Sequence, residues 1–201
     1  MTATMDSAVA FAEIIPSVLL VQLKRPVERN PLSIATLTEL STSLSRWLAQ
    51  DSIDAIIFTG VDDVFASGAN IHELARLDIT TARQFSQLGQ TLLNSIAGAR
   101  AKTIAAINGY CIGGGLDLAL ACDIRIASSK ARFAHPGARL GIITGWGGTQ
   151  RLPRLIGKPR ALELFATAST ITAEQALRIG LIDRLADPLL QAALQLAAAR
   201  Q

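Results

Sequence analysis

A chain of 201 residues, half of them hydrophobic, is long enough to bury one core without support from disulfides or metal ions. The formal net charge of +3 is small, so we expect no nucleic-acid partner. No aromatic residues are interleaved among the scattered basic residues Lys24, Arg25, Arg29, Arg151, Arg154 and Lys158. Cys111 and Cys122 lie in apolar stretches without metal-ligand spacing, which favours buried thiols over a disulfide or a metal site.

The sequence has no pattern typical of an export signal or a membrane-spanning helix. No basic segment followed by an apolar run occurs near the first residues, so we expect a cytoplasmic protein. The most apolar stretch, Thr103 to Cys122, is interrupted by Asn108, a glycine triplet and Asp117, which makes a membrane-spanning helix implausible. We therefore expect no membrane partner.

Strand and helix patterns alternate along the first half of the chain. Runs rich in β-branched residues predict strands, apolar residues three and four apart predict helices, and Pro26 and Pro31 predict a loop. In chain order we predict a strand at Ser17 to Leu23, a helix capped by Ser33, a strand at Ala55 to Thr59, and a helix from Thr80 or Thr81 to about Ala97.

The second half of the chain repeats this alternation around Gly113-Gly114-Gly115. The triplet follows a predicted strand at Thr103 to Ile107 and precedes a short apolar helix that ends at Ala121, so it marks a strand-to-helix junction. The remaining predictions are a strand at 123–127, a glycine-rich loop at 137–148, helices near 151–155, 161–168 and 173–178, and a terminal helix within 185–201. No linker divides the chain, so we expect one domain over residues 1–201.

Glycines at the start of a helix suit a site that binds a ligand oxygen, because no side chain shields the free N–H groups at the positive end of the helix dipole. A second donor can come from the segment after Phe65, where Gly68 allows an unusual backbone angle and Ala69 presents its N–H. Two such donors on one carbonyl oxygen would stabilise a negative charge developing there by roughly 3 to 4 kcal/mol each. Tight turns and close helix packing also require glycine, so both interpretations of the triplet stay open.

Four segments of the chain carry motifs that belong together. They are Phe65 to Ile71, Asn108 to Tyr110 with the glycine triplet, Ala121 to Asp123, and Gly147 to Pro153. In this order, across nearly the whole chain, they resemble the enoyl-CoA hydratase/isomerase family, also called crotonases. The resemblance implies a single α/β domain built as a spiral of β-β-α units. It also implies a coenzyme A thioester as substrate with no further cofactor, and a homo-oligomer, either a trimer or a hexamer.

The resemblance also implies roles for individual residues. The backbone N–H groups of Ala69 and Gly114 would form the oxyanion hole. Trp146 would wall the acyl pocket, although an ordinary core position is an equally good interpretation of a tryptophan there. The remaining residues implied to contact the substrate are Ala66, Asn70, Ile71, Gly137 and Arg25, of which Arg25 would approach a phosphate of coenzyme A.

Two positions correspond to the catalytic glutamates of the hydratases. Asp117 matches the first, and its apolar surroundings predict a raised pKa that suits proton transfer, although an acid in a first helical turn can also simply complement the helix dipole. The second position is Gly137, which cannot hold a water or exchange a proton, so we expect ordinary hydratase turnover to be impaired. His135 is close, but neighbouring strand residues face opposite sides, so its ring need not reach the space at Gly137.

The sequence leaves three functions open. The first is an enoyl-CoA hydratase or isomerase with Asp117 as its acid and base. The second is an acyl-CoA decarboxylase, which the segment Gly141 to Gly148 resembles and which needs no second acid. The third is a non-catalytic acyl-CoA-binding subunit, because the chain ends soon after Asp187 without the terminal helices of relatives. The last apolar segment, Leu189 to Ala199, is expected to need a partner surface, and Asp123 is expected to be structural.

Overall fold

Strands and helices alternate along residues 7–199, the part of the chain that this computed structural model describes. The strands are β1 (Val9–Ile15), β2 (Val18–Leu23), β3 (Pro31–Leu32), β4 (Ala55–Thr59), β5 (Val64–Ala66), β6 (Gly68–Ala69), β7 (Lys102–Ile107), β8 (Tyr110–Ile112), β9 (Ile124–Ala127), β10 (Arg132–Ala134), β11 (Ile171–Thr172) and β12 (Arg184–Leu185). The helices are α1 (Ile34–Leu48), α2 (Ile71–Leu74), α3 (Ile79–Ala97), α4 (Gly114–Ala121), α5 (Gly148–Ile156), α6 (Lys158–Thr167), α7 (Ala173–Arg178) and α8 (Leu189–Ala198).

The strands form two main sheets through a repeating path. Strands β2, β4, β7 and β9 are parallel neighbours in a six-stranded sheet of order β1-β2-β4-β7-β9-β12. The strands that follow three of them in the chain, β5, β8 and β10, lie together in a four-stranded sheet of order β11-β10-β8-β5. Each unit thus adds one strand to each sheet and then a helix, which gives the predicted α/β spiral of β-β-α units.

The central strands of the larger sheet are buried on both faces. All five residues of β4 are buried, as are five of the six in β7, which is why these strands are continuous apolar runs without alternation. Helix α8 covers part of one face, because Ala193 packs in one cluster with Ile57 and Ile104. The expectation that the terminal helix needs a partner surface is therefore wrong for its buried side, which packs on the sheet of its own chain.

Several element boundaries differ from the predictions for local reasons. Helix α3 begins at Ile79, because the Asp78 side chain accepts a hydrogen bond from the Thr81 N–H and caps the helix there. Strand β1 was not predicted; it pairs antiparallel with β2, and most of its residues are only partly covered. The terminal helix begins only at Leu189, since residues 184–185 form β12, and residues 200–201 lie outside the described part.

Within residues 7–199, no helix combines the length and the apolar character needed to cross a membrane. In the same range, no three His, Cys, Asp or Glu side chains are grouped so that they could hold a metal ion. Cys111 and Cys122 are both buried and free, as predicted. Burial raises the pKa of the Cys122 thiol to about 12, so this cysteine stays protonated.

Asp123 ties the start of β9 to the neighbouring strand β7. Its carboxylate oxygen Oδ2 accepts hydrogen bonds from the backbone N–H and from the hydroxyl of Thr103, both at 2.8 Å. The Thr103 hydroxyl in turn accepts from the Asp123 N–H at 2.9 Å. Thr103 is buried, so these groups would lack partners without the aspartate. The predicted structural role of Asp123 is confirmed.

Replacing Asp123 by alanine is expected to lower the free energy of unfolding by about 1 to 3 kcal/mol, because buried donors of Thr103 lose their acceptor. Urea denaturation measures this change. Asp51→Ala is the control, because its carboxylate only forms an exposed ion pair with Arg100 at 3.4 Å, which contributes less than about 1 kcal/mol. Equal losses in the two variants would contradict the assignment.

Candidate active site

A cavity of about 480 Å³ opens between several elements. Its walls come from β6 and α2, from helix α3, from the first turn of α4, from residues 135–146 and from α6. Most of the lining side chains are apolar, and three of the few polar ones, Asp117, His135 and Thr144, lie together. A mainly apolar pocket with a few converging polar groups is typical of a small-molecule site.

Strand β6 and the start of α4 touch at the wall of this cavity. A Cβ atom on Gly68 would lie 2.6 Å from the Gly114 nitrogen and 2.8 Å from the Ile112 carbonyl oxygen, so no side chain fits between the two segments. Gly68 also has a φ of +86°, which other residues rarely adopt. Gly114 and Ala69, the residue after Gly68, both line the cavity.

The glycine triplet begins α4 without a side-chain cap. Gly113 is the N-cap residue, with a φ of 55°, and its carbonyl accepts from the N–H groups of Leu116 and Asp117. Gly114 and Gly115 hold the first two helical positions, whose N–H groups have no acceptor within the helix. A Cβ on Gly115 would lie 2.2 Å from the Ala66 carbonyl oxygen. The triplet therefore permits close packing and also leaves helix N–H groups uncapped.

Asp117 lies one turn into α4 and is almost completely buried, with 1% of its surface exposed. It lines the cavity, and its Oδ2 atom accepts a hydrogen bond from the Thr144 hydroxyl. Burial raises the pKa of this carboxyl to about 7, against the opposing effects of the Thr144 bond and the Arg151 charge. Its second oxygen, Oδ1, has no hydrogen-bond partner among the described residues.

His135 faces that second oxygen. Its Nε2 atom lies 3.4 Å from Asp117 Oδ1 and has no hydrogen-bond partner in the described chain, and its ring packs on Phe165 with centroids 5.0 Å apart. The side chain is 4% exposed, and burial lowers its pKa to about 4, so the imidazole is neutral near pH 7. Sequence reasoning gave His135 little weight by treating it as a strand residue, but β10 ends at Ala134, so strand alternation does not determine its direction. The sequence feature that could have indicated this direction is the position of the histidine directly before Pro136, because a strand tends to end there.

Gly137 lines the cavity, but a side chain has no room there. A Cβ atom on it would lie 2.6 Å from the Ile142 carbonyl oxygen. The loop is held in this position by a hydrogen bond of 3.0 Å from the Ile142 N–H to the Gly137 carbonyl. A glutamate at this position would therefore require the loop to move.

Trp146 satisfies both interpretations of its position. It is 4% exposed and packs edge-on against Phe85, with ring centroids 5.2 Å apart, and it also lines the cavity. Its indole ring lies against Gly89 and Gly114, where a Cβ atom would come within 2.3 Å of the ring. The tryptophan therefore packs in the core and also supports the first turn of α4.

The other predicted contact residues divide into two groups. Ile71 is half-exposed and lines the cavity. Ala66, Asn70 and Arg25 are not among the lining residues. Ala66 has no exposed surface and lies behind the wall, and the Asn70 side chain caps α2 by accepting from the His72 N–H at 2.9 Å. The partly exposed Arg25 guanidinium lies 3.9 Å from the Glu28 carboxylate. Substrate contacts by these three residues stay predictions.

Comparisons with known proteins agree on one family. Residues 13–199 match the sequence model described as Enoyl-CoA hydratase/isomerase. The chain is 41% identical over 167 residues to a crotonyl-CoA hydratase of Syntrophomonas wolfei, covering 83% of this chain and 64% of that relative. It is 40% identical over 172 residues to a short-chain-enoyl-CoA hydratase of Clostridium acetobutylicum, covering 85% of this chain and 66% of that relative. The chain thus spans just under two thirds of the length of these curated relatives.

Solved structures give the same result for the fold. An enoyl-CoA hydratase from Bacillus anthracis superposes with a TM-score of 0.90 at 35% identity, covering 94% of this chain and 75% of that one. A monofunctional enoyl-CoA isomerase from M. smegmatis superposes with a TM-score of 0.81 at 32% identity, covering 96% and 84% of the two chains. The spiral of β-β-α units is therefore a crotonase fold.

The pKa shifts of Asp117 and His135 have opposite effects on stability. Folding raises the Asp117 pKa from 3.8 to about 7, so the folded state holds an extra proton between these values. Folding lowers the His135 pKa from 6.5 to about 4, so the folded state lacks a proton in that range. Stability falls with rising pH where the folded state holds more protons, and rises where it holds fewer. Between about pH 4 and 6.5 the two effects oppose each other.

Single substitutions are expected to separate the effects of the two pKa shifts on stability. In Asp117→Asn only the histidine remains, so the free energy of unfolding should rise from about pH 4 to 6.5. In His135→Phe only the carboxyl remains, so it should fall from about pH 4 to 7. Urea denaturation across this range measures both slopes, with the unmodified protein as the flatter reference. If the free energy of unfolding changed with pH in the same direction in both variants, the opposite pKa shifts assigned to Asp117 and His135 would be wrong.

Proposed function

This chain belongs to the enoyl-CoA hydratase/isomerase family, and from that premise we propose that it binds a coenzyme A thioester in the cavity and moves a proton on its acyl chain through Asp117. The observation that carries the proposal is a buried carboxyl on the cavity wall, whose pKa of about 7 lies near the pH of the cell. An acid or base is most effective when its pKa is close to the operating pH.

In the proposed complex, the thioester oxygen accepts hydrogen bonds from the N–H groups of Ala69 and Gly114. Support comes from the contact between Gly68 and Gly114, and from the place of both donors on the cavity wall. The positive end of the α4 dipole adds to the effect on a developing negative charge. Each donor would lower the barrier to enolate formation by roughly 3 to 4 kcal/mol.

We propose isomerisation of a 3-enoyl thioester to the 2-enoyl thioester as the principal reaction. Ionised Asp117 takes a proton from C2, the electron pair moves onto the thioester oxygen, and the protonated carboxyl then returns the proton to C4 as the double bond moves into conjugation. One carboxyl suffices for both transfers. Hydration with two carboxylates is disfavoured, because Gly137 offers no second acid and the Ile142 carbonyl occupies the space of a side chain there.

Decarboxylation of a malonyl-type thioester is the second candidate, and the glycine at position 137 favours it. Loss of carbon dioxide itself generates the enolate, so the reaction needs the oxyanion hole but no general base. Asp117 distinguishes the two reactions, since isomerisation depends on its carboxyl and decarboxylation does not. A non-catalytic acyl-CoA-binding subunit would bind coenzyme A thioesters without either reaction.

The proposed substrate and assembly follow the same premise. Coenzyme A enters as part of the substrate, and we propose no other cofactor. We also propose a homo-oligomer, a trimer or hexamer, in the cytoplasm. Support for assembly comes from the apolar rim of the cavity, where Leu140, Ile142, Ile143 and Leu162 are each about half exposed or more, because exposed apolar patches are typical of interaction surfaces.

Asp117→Asn is expected to lower kcat/KM for isomerisation of a 3-enoyl-CoA at least about 100-fold, because the amide cannot accept the C2 proton. The rise of conjugated-thioester absorbance measures the reaction. Asp51→Asn, on the exposed surface, makes the same chemical change away from the cavity and serves as control. An unmodified protein without isomerase activity, or an active Asp117→Asn variant, would contradict the proposal. If the unmodified protein and the Asp117→Asn variant both release carbon dioxide from methylmalonyl-CoA, the result would favour the decarboxylase.

The isomerisation rate is expected to rise with pH and to level off above about pH 7. The free enzyme must carry ionised Asp117, and burial raises the pKa of this group to about 7. The measurement is kcat/KM from pH 5.5 to 8.5. A rate that is constant over this range would mean that the essential base has an ordinary carboxyl pKa, contrary to the proposed role of Asp117.

A further inference from the structure

We propose that His135 is a second catalytic residue, which together with Asp117 holds a water molecule for addition to C3 of a 2-enoyl thioester. This inference rests on the proposed enoyl-CoA chemistry and extends it to hydration by a histidine and a carboxyl instead of two carboxylates. The comparisons assign no role to this histidine, and the sequence pattern alone did not favour one.

Two buried polar atoms, which belong to residues that line the cavity, carry the inference. His135 Nε2 and Asp117 Oδ1 are 3.4 Å apart, and neither has a hydrogen-bond partner in residues 7–199. Their side chains are 4% and 1% exposed, and both residues line the cavity. Buried polar atoms nearly always have a partner, so a pair without one indicates a site for a small polar ligand. An oxygen atom about 2.8 Å from each would satisfy both.

The surrounding residues hold these two atoms in place. Thr144 donates to the other Asp117 oxygen, which leaves Oδ1 directed towards the histidine. Phe165, from α6, packs against the imidazole with ring centroids 5.0 Å apart. The oxygen of the proposed water would therefore contact an imidazole and a carboxyl that are held in fixed positions. Fixed geometry of this kind is what general acid and base catalysis requires.

The proposed hydration step is balanced in protons and electrons. His135 Nε2 takes one proton from the water as its oxygen bonds to C3, and the electron pair of the double bond moves through C2 onto the thioester oxygen. The enolate then takes a proton at C2 from protonated Asp117. Finally, the imidazolium returns its proton to the Asp117 carboxylate across the contact of 3.4 Å. One water is consumed, and both side chains return to their starting states.

The protonation states that the pair requires give hydration a pH dependence opposite to that of isomerisation. Arg151 on α5 lowers the pKa of Asp117, Asp117 in turn raises the pKa of Cys111 on β8, and His135 Nε2 lies 3.4 Å from Asp117 Oδ1. Burial gives Asp117 a pKa of about 7 and His135 one of about 4. Hydration needs the carboxyl protonated and the imidazole neutral, so its kcat/KM should fall above about pH 7, where isomerisation reaches its plateau.

The test compares two reactions of the full chain. Hydration of crotonyl-CoA is followed by loss of conjugated-thioester absorbance, and deuterium exchange at C2 of butyryl-CoA in heavy water reports enolate formation without a water nucleophile. His135→Phe keeps a planar ring against Phe165 but removes the base. We expect hydration to fall at least about 100-fold in this variant while exchange changes less than about threefold. His72→Phe, at the exposed second histidine, is the matched control.

His135→Gln keeps hydrogen-bonding groups but cannot shuttle a proton, so its kcat for hydration should fall at least about tenfold with little change in KM. Hydration at an unchanged rate in both variants would overturn the inference, as would equal loss of hydration and exchange, which indicates a structural role. If the unmodified protein isomerises 3-enoyl-CoA but does not hydrate crotonyl-CoA, the inference fails and the proposed function stands. If it shows neither isomerisation nor exchange, both fail.

Discussion

The approach of two backbone segments at Gly68 and Gly114 is the constraint on which the rest of the site depends. A Cβ atom on Gly68 would come within 2.6 Å of the Gly114 nitrogen, so the contact requires glycine at position 68, and a Cβ atom on Gly114 would come within 2.3 Å of the Trp146 ring. The contact places β6 beside the first turn of α4 and thereby puts Ala69 and Gly114 on one cavity wall. Helix α4 begins at Gly114, and Asp117 lies one turn further along that helix.

The apolar packing around the cavity shifts the pKa values of the polar groups in the site. Because the cavity is mostly apolar, burial raises the pKa of Asp117 to about 7 and lowers that of His135 to about 4. Both groups therefore tend to be neutral, and their unpartnered atoms face each other at 3.4 Å. Keeping two uncompensated polar atoms in the interior is unfavourable for stability, and such costs are typical of functional sites. These unpartnered polar atoms thus belong to the residues to which the proposed chemistry is assigned.

Sequence patterns predicted the fold and the backbone part of the site better than the side chains around it. The motifs near Gly68 and at the glycine triplet, and the apolar run around Asp117, are local signals, and the structure brings these residues together at the cavity. Strand β10 ends at Ala134, so the direction of His135 depends on the segment that follows the strand and not on strand alternation. The Ile142 carbonyl over Gly137 and the docking of α8 on its own sheet arise from contacts between distant segments, which no local pattern records.

A crystal structure of the protein with acetoacetyl-CoA tests the central claim most directly, because the claim is geometric. We predict that the thioester oxygen lies about 2.7 to 3.2 Å from the backbone nitrogens of both Ala69 and Gly114, with the acyl chain beside Asp117. A thioester oxygen that contacts only one of these nitrogens, or neither, would contradict the account.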